Sequence, residues 1–255
     1  MSLHTTLHLH NVPAGREADY ASWFDGPHRA ALTRLRGFHA ADRYEVTAEQ
    51  IMPDIAQPWR FLSIYDFDLP TPSVDIPALG PLIAGARDGG MIDDSGENER
   101  LYTYSMYSEW KGSPNWRRSE PLSGVSVILA NYVAGRFAEY QDWYDNVHSI
   151  EVTNVPGHVA MRRGALSPFQ IEPCRYCPGD QLVLCAQQTD DLWFTIKDFS
   201  ARAGGRSPSG IRMQPRSQAA SFARTVHYFK KISGDRFWSG GIAYAGDLAV
   251  YSAKT

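Results

Sequence analysis

Positive charge is not in surplus: 25 Lys and Arg stand against 28 Asp and Glu, a net charge of −3 over 255 residues. No basic stripe able to neutralise several phosphates follows from that balance, which argues against nucleic acid as a main partner. Long apolar runs are missing too. No stretch of 18 apolar residues is available to span a bilayer, and residues 1–10 alternate apolar with polar instead of showing the basic and apolar regions of a leader peptide. The expectation is a cytoplasmic protein with no membrane partner. Cysteine is scarce, with only Cys174, Cys177 and Cys185, an odd number that suits a reducing compartment. Cys174 and Cys177 form a C-x-x-C between two prolines, without the second ligand pair of a zinc site or the helix start of a thioredoxin motif. A loop with two free thiols is expected there. No G-x-G-x-x-G, P-loop, G-x-S-x-G or H-E-x-x-H occurs, so nothing demands a nucleotide, a phosphate, an activated serine or zinc. No cofactor is expected. Aromatic residues, 12% of the chain and spread along it, exclude disorder.

What the sequence does contain is a copy of itself. Shifted by 120 positions, residues 9–43 lie over 129–163 without a gap and agree at 14 of 35 places. The pairs include Tyr20/Tyr140, Trp23/Trp143, Asp25/Asp145, His28/His148, Gly37/Gly157 and Arg43/Arg163. Later the register drifts, with Thr103, Tyr107 and Gly112 falling over Thr225, Phe229 and Gly234, and Ala86-Arg87 over Ala201-Arg202. An internal repeat decides architecture before any local assignment, and this one reads as a fused tandem duplication.

Each half carries the same order of elements. Leu3, Thr5, Leu7 and Leu9 alternate with His4, Thr6, His8 and His10, the period of a half-buried strand. A helix follows, with Tyr20, Trp23 and Phe24 on one face and Gly37 closing it. Strands are expected at 39–46 and 59–67, a helix at 77–87 and a last strand at 101–110. The second half repeats them at 125–132, 159–166, 181–188, 191–203 and 223–232. β-α-β-β-α-β is the ferredoxin-like unit, an α+β fold with helices on one face of an antiparallel sheet. The bare face needs cover, so the two sheets are expected to face each other and enclose a chamber. The division is 1–112 and 124–236 for the two repeats, 113–123 for the linker and 237–255 for a C-terminal extension. Free sheet edges leave a homo-oligomer open.

The run Trp143-Tyr144-Asp145-Asn146-Val147-His148, then Pro156-Gly157 and Arg162-Arg163, resembles the EthD-like branch of the dimeric α/β-barrel superfamily. The first copy, Trp23-Phe24-Asp25-Gly26-Pro27-His28 to Gly37 and Arg43, is similar, with Phe24 for the second aromatic and Arg36 in place of the turn proline. The resemblance implies an intramolecular dimeric α/β barrel. It implies a small-molecule enzyme of a chemically varied group: cofactor-free monooxygenases, polyketide cyclases, lactone isomerases, dehydratases and haem-binding branches. Fold analogy alone does not choose among them.

Candidate catalytic residues are His28 with Asp25, and His148 with Asp145. Three residues apart on a helix, each carboxylate can meet its imidazole, fix its tautomer and favour its charged form, or merely make a surface ion contact. Candidate substrate-binding residues are His8, His10, Trp23, Arg43, Tyr104, Trp143, Arg163 and His227. His8 and His10 become Ile128 and Ala130 in the second copy, so one half is polar and the other apolar, and the polar half is the better candidate for a surviving site. The same two histidines can share a ligand or metal, but no third ligand is identifiable; no metal is expected. Arg43 and Arg163 can hold a substrate carboxylate or phenolate, or pair with Asp25 and Asp145. The leading reading is cofactor-independent His acid/base chemistry on an aromatic or polyketide-like substrate, by a lyase or dehydratase, cyclase or isomerase. The alternatives are a haem-dependent or cofactor-free oxygenase and a non-catalytic ligand-binding protein.

Overall fold

The alternating N-terminal residues form β1 (Ser2–His10), whose odd side chains Leu7 and Leu9 and even side chains His8 and His10 are all buried, on opposite faces. The following elements are α1 (Glu17–Trp23), a π-helical turn (Phe24–His28), α2 (Arg29–Leu32), β2 (Phe38–Val46) and β3 (Phe61–Leu69). Then come α3 (Pro72–Asp75), a 3-10 turn (Pro77–Leu79), α4 (Gly80–Asp88) and β4 (Glu99–Met106). After β5 (Lys111–Gly112), the series recurs as β6 (Gly124–Ala130), α5 (Phe137–Trp143), a second π-helical turn (Tyr144–His148), α6 (Ser149–Thr153) and β7 (His158–Leu166). It closes with β8 (Gln181–Gln187), α7 (Leu192–Ala203) and β9 (Thr225–Gly234). The computed structural model describes residues 2–55, 57–93, 99–107, 110–117, 119–173, 177–221 and 225–234. The expected start of the last strand at 223, the Cys174 end of the C-x-x-C and the extension at 237–255 lie outside the described residues.

The turn after α2 requires glycine. Gly37 has φ +82°, and a Cβ there would collide with the Asp68 carbonyl; Gly157 repeats the conformation at φ +93°. At the start of α7, Asp191 accepts a hydrogen bond from the Phe194 N–H at 2.8 Å, an N-cap.

Eight antiparallel strands close on themselves in the order β4-β1-β3-β2-β9-β6-β8-β7, with β4 returning to β7. Closure uses β2 against β9, from Asp42 opposite Gly234 to Val46 opposite Phe229, and β4 against β7, from Tyr104 opposite Leu166 to Met106 opposite Gly164. The edges expected to be free for further pairing are therefore spent inside the chain, because each sheet's outer strands hydrogen-bond the other's. Short β5 adds to β7 beyond the barrel. The fourth strands also sit in another register than the drifted repeat suggests. Thr6 faces Thr103 and Ser126 faces Tyr228, so Thr103 corresponds to Tyr228 and not to Thr225.

The chamber expected between the sheets is filled. Leu7, Leu9, Leu62, Ile64, Tyr102, Tyr104, Trp110, Trp116, Val125, Val127, Leu129, Leu182, Leu184 and Phe229 form one buried cluster inside the barrel. Small barrels are packed cores rather than pores, and eight strands leave room for little beyond side chains. One ion pair lies in the same interior: Arg162 Nη2 stands 2.9 and 3.0 Å from the two Asp66 carboxylate oxygens, both residues fully buried. Thr5 donates to Asp66 and accepts from Arg162 at 2.8 Å, tying β1 and β3 of one half to β7 of the other.

Candidate functional site

With the barrel packed, room for a ligand has to lie outside it, between sheet and helices. In the first half that space holds buried polar side chains. His8 Nε2 is 2.6 Å from Glu99 Oε1, Arg87 donates to Glu99 at 2.6 Å, and Arg87 also pairs with Glu172. Burial pushes the Glu99 carboxyl up, but the His8 and Arg87 contacts outweigh it and hold it below the usual carboxylate range. His10 Nδ1 donates to the His8 carbonyl at 3.1 Å, and its ring meets Tyr20 edge-on at 4.9 Å. His28 Nε2 is 3.2 Å from the Tyr65 hydroxyl, and its ring stacks on Trp23 at 4.2 Å. Tyr20 and Ser63 share a hydrogen bond of 3.1 Å. The first half is polar, as its sequence implies, and its His8, His10 and His28 rings are buried against their neighbours, with His8 Nδ1 and His10 Nε2 lacking a hydrogen-bond partner among the described residues.

In the second half Ile128 and Ala130 replace the two histidines, and a cavity of about 350 Å³ opens between β6–β9 and the helices. Its wall includes Tyr140, Trp143, Tyr144, His148, His158 and Tyr228. The segment 213–216 and two residues of the first half, Ile51 and Met52, complete it. The polar half was the better candidate by sequence; the structure puts the open volume in the apolar half, because small and aliphatic side chains leave unfilled what imidazoles fill.

The Asp–His pairs do not form. Asp25 instead accepts from Arg43 at 2.8 Å and Ser233 at 2.9 Å, with Arg29 3.6 Å away. Asp145 pairs with Arg163 at 2.7 Å and with Lys111. The reason is the π-helical turn, which aligns residues five apart rather than three. Each histidine therefore lies on the tryptophan five places before it, Trp23 under His28 and Trp143 under His148, at 4.2 and 4.3 Å. Of the two uses open to Arg43 and Arg163, the structure shows the ion pair; Arg163 is also stacked over Tyr144 at 4.8 Å and Tyr107 at 5.4 Å.

Two other sequence candidates point away from the cavity. The Tyr104 hydroxyl is inside the barrel and donates to the Gly179 carbonyl at 3.0 Å. His227 lies on the face of β9 opposite to Tyr228, bonded to Gln57. Trp143 and His148 are thus the sequence-selected residues in the cavity wall. Among the described residues no group hydrogen-bonds the half-buried His148 imidazole, and burial lowers its pKa to about 4, with the Arg163 charge adding to the effect. The ring is neutral at pH 7 and held only by stacking. Its nitrogens are available to accept or share a proton.

Sequence reading missed His158, Tyr140 and Met52. The buried His158 ring lies across from Tyr228 at 6.2 Å, and burial lowers its pKa to about 4. The Trp143 indole N–H is buried without a hydrogen-bond partner among the described residues. Unpaired buried polar atoms around an apolar cavity are what a ligand's polar groups would satisfy. No periodic signal marks His158, since its counterpart at the 120 spacing is Phe38.

No protein-family model and no curated protein sequence matches the chain. Among solved structures it is similar to a proposed monooxygenase from Fusobacterium nucleatum, with a TM-score of 0.55, 8% identity, and coverage of 92% of this chain and 94% of that one. It is also similar to an anthrone oxidase-like protein, with a TM-score of 0.53, 8% identity and 92% of each chain covered. The shared fold is a closed eight-stranded antiparallel barrel with helices outside it. Here the barrel is built within one chain, and likeness at this identity concerns the fold alone.

Buried histidines give this barrel a definite acid response. Burial lowers His28 to about 3, and His158 and His227 to about 4, against 6.5 in the unfolded chain. The unfolded state therefore binds more protons, and stability falls as pH drops below 6.5, each group losing up to ~1.4 kcal/mol per pH unit until its folded pKa is reached. Urea midpoints measured at pH 7, 6, 5 and 4 should decline steadily; a flat profile would show that these rings are hydrated.

Proposed function

We propose that the second-half cavity is the active site of a small-molecule enzyme acting on an uncharged aromatic or polyketide-like substrate by proton transfer at His148. The observation that carries this is a neutral imidazole in the wall of an apolar cavity, fixed by Trp143 and without a protein partner among the described residues. A lyase or dehydratase, cyclase or isomerase needs such a base, and apolar walls with Tyr140 and His158 as polar points suit a planar ligand. In this reading the chain is a duplicated EthD-like, ferredoxin-like unit. His28, Asp25, His8, His10, Trp23 and Arg43 serve packing in the first half, Asp145 and Arg163 brace the helix that presents His148, and Tyr104 and His227 serve the barrel.

A second reading, a cofactor-free oxygenase, is favoured by the names of the two structural neighbours. Both readings begin with the same proton removal and diverge in whether dioxygen then reacts with the resulting anion. Incubation with a panel of anthrones, naphthols and linear polyketide esters, with and without oxygen, separates them by product mass. Loss of water or an isomer formed anaerobically supports the first, and oxygen uptake with oxygen incorporated supports the second. No conversion of any compound under either condition leaves a binding protein.

A further inference from the structure

Part of the cavity wall belongs to the other half. Ile51 and Met52 arrive on the connection between β2 and β3, and Gln50 just before them anchors that connection to the second half. The Gln50 side chain donates to the Tyr228 carbonyl and accepts from the Tyr228 N–H, each at 2.9 Å. The second half returns the arrangement. Gln170 donates to the Thr103 carbonyl at 2.8 Å and accepts from the Thr103 N–H at 2.9 Å, and Ile171 packs on the first half's core. Thr103 and Tyr228 are equivalent by strand register, and the spacing of 120 makes Gln50, Ile51 and Met52 equivalent to Gln170, Ile171 and Glu172. Each half lends the other the same short loop.

The third loop residue differs, and so do its surroundings. In the first half Glu172 pairs with Arg87, which bonds Glu99, which bonds His8, a chain of charge running from the surface into the space between helices and sheet. In the second half Met52 holds that place, and Arg202, the counterpart of Arg87, turns instead to Asp198 at 2.8 Å and the Asn154 carbonyl at 3.0 Å. The ionic latch is present where the space is filled and absent where it is open.

We propose that Met52, a first-half residue, is a specificity-determining residue of the second-half cavity, admitting uncharged aromatic ligands where the equivalent Glu172 latches the other half shut. The proposal rests on the reading of the cavity as the ligand site. A thioether adapts to an aromatic face at no desolvation cost, whereas a carboxylate at the same point must either shed water against an apolar ligand or recruit a cation into its path.

The test uses the full chain and N-phenyl-1-naphthylamine, an uncharged probe that fluoresces in apolar surroundings, with melting curves on every variant. The unsubstituted protein should bind it saturably. Met52→Glu should weaken binding by about tenfold or more, in keeping with the cost of desolvating a charge, and Met52→Leu should stay within about threefold. Met52→Gln replaces the Glu variant if that one melts early, with a smaller loss expected. Glu172→Gln should leave affinity unchanged, and Val226→Trp, which adds a ring inside the cavity, should abolish binding. Wild-type affinity in the folded Glu and Gln variants, with binding still lost in Val226→Trp, overturns the role of Met52 and leaves the cavity reading intact. Absence of saturable binding to the unsubstituted protein, or full binding to Val226→Trp, overturns both.

Discussion

Asp66→Ala, with Arg162 left in place, should cost about 3–5 kcal/mol of stability in urea unfolding, the largest loss expected of any single substitution in the barrel. Both partners are fully buried, and the guanidinium also lies over the Trp110 ring at 4.8 Å. Removing the carboxylate takes the counter-charge from a fully buried cation, so the loss reflects desolvation more than the worth of the pair. The double variant Asp66→Leu with Arg162→Met should regain most of it, because replacing a buried pair by apolar residues of similar volume is often neutral or stabilising. A single-variant loss under about 1 kcal/mol would mean that the interior admits water to the stranded charge. Because the pair joins β3 to β7, the single variant should also loosen the seam between halves, visible as faster hydrogen exchange in β4 and β7.

His148→Gln should lower kcat about 10²–10⁴-fold on any substrate identified as above, the usual contribution of a positioned acid or base, with little change in melting temperature. His28→Gln should do the reverse, leaving kcat near its original value while lowering stability, since His28 is buried against Trp23 and bonded to Tyr65. The contrast is informative because the two residues occupy the same place in the two copies. Loss of turnover on replacing His28, with His148 dispensable, would move the chemistry to the polar half.

Much of the fold was legible because identities recur at a fixed spacing. Tyr20, Trp23, His28, Gly37 and Arg43 each find their counterpart 120 residues later, and strand order follows from period-two alternation in one copy read onto the other. The fourth strands lacked such identities, and a three-residue slip in matching Thr103 to Thr225 went unopposed by any pattern. The Asp–His spacing misled for a different reason: three residues share a face in an α-helix, but the local backbone is π-helical, a feature sequence periodicity does not mark. The position of the open volume was harder still. Val125, Val127 and Leu129 face the barrel and Ser126, Ile128 and Ala130 face the cavity, so both sides of β6 are largely apolar and alternation cannot tell a packed face from an unfilled one. Met52 reaches the cavity on a loop that Gln50 ties to β9, and His158 at the start of β7, and nothing in their immediate sequence announces either.

Closure of the barrel inside a single polypeptide has a consequence for what each side is free to become. When identical subunits assemble about a twofold axis, every substitution is written twice, and a group that blocks one site blocks its mate. Here the mates are separate stretches of sequence. One can harden into a solid polar buttress while the other stays hollow, and the hollow one can borrow part of its lining from the buttress.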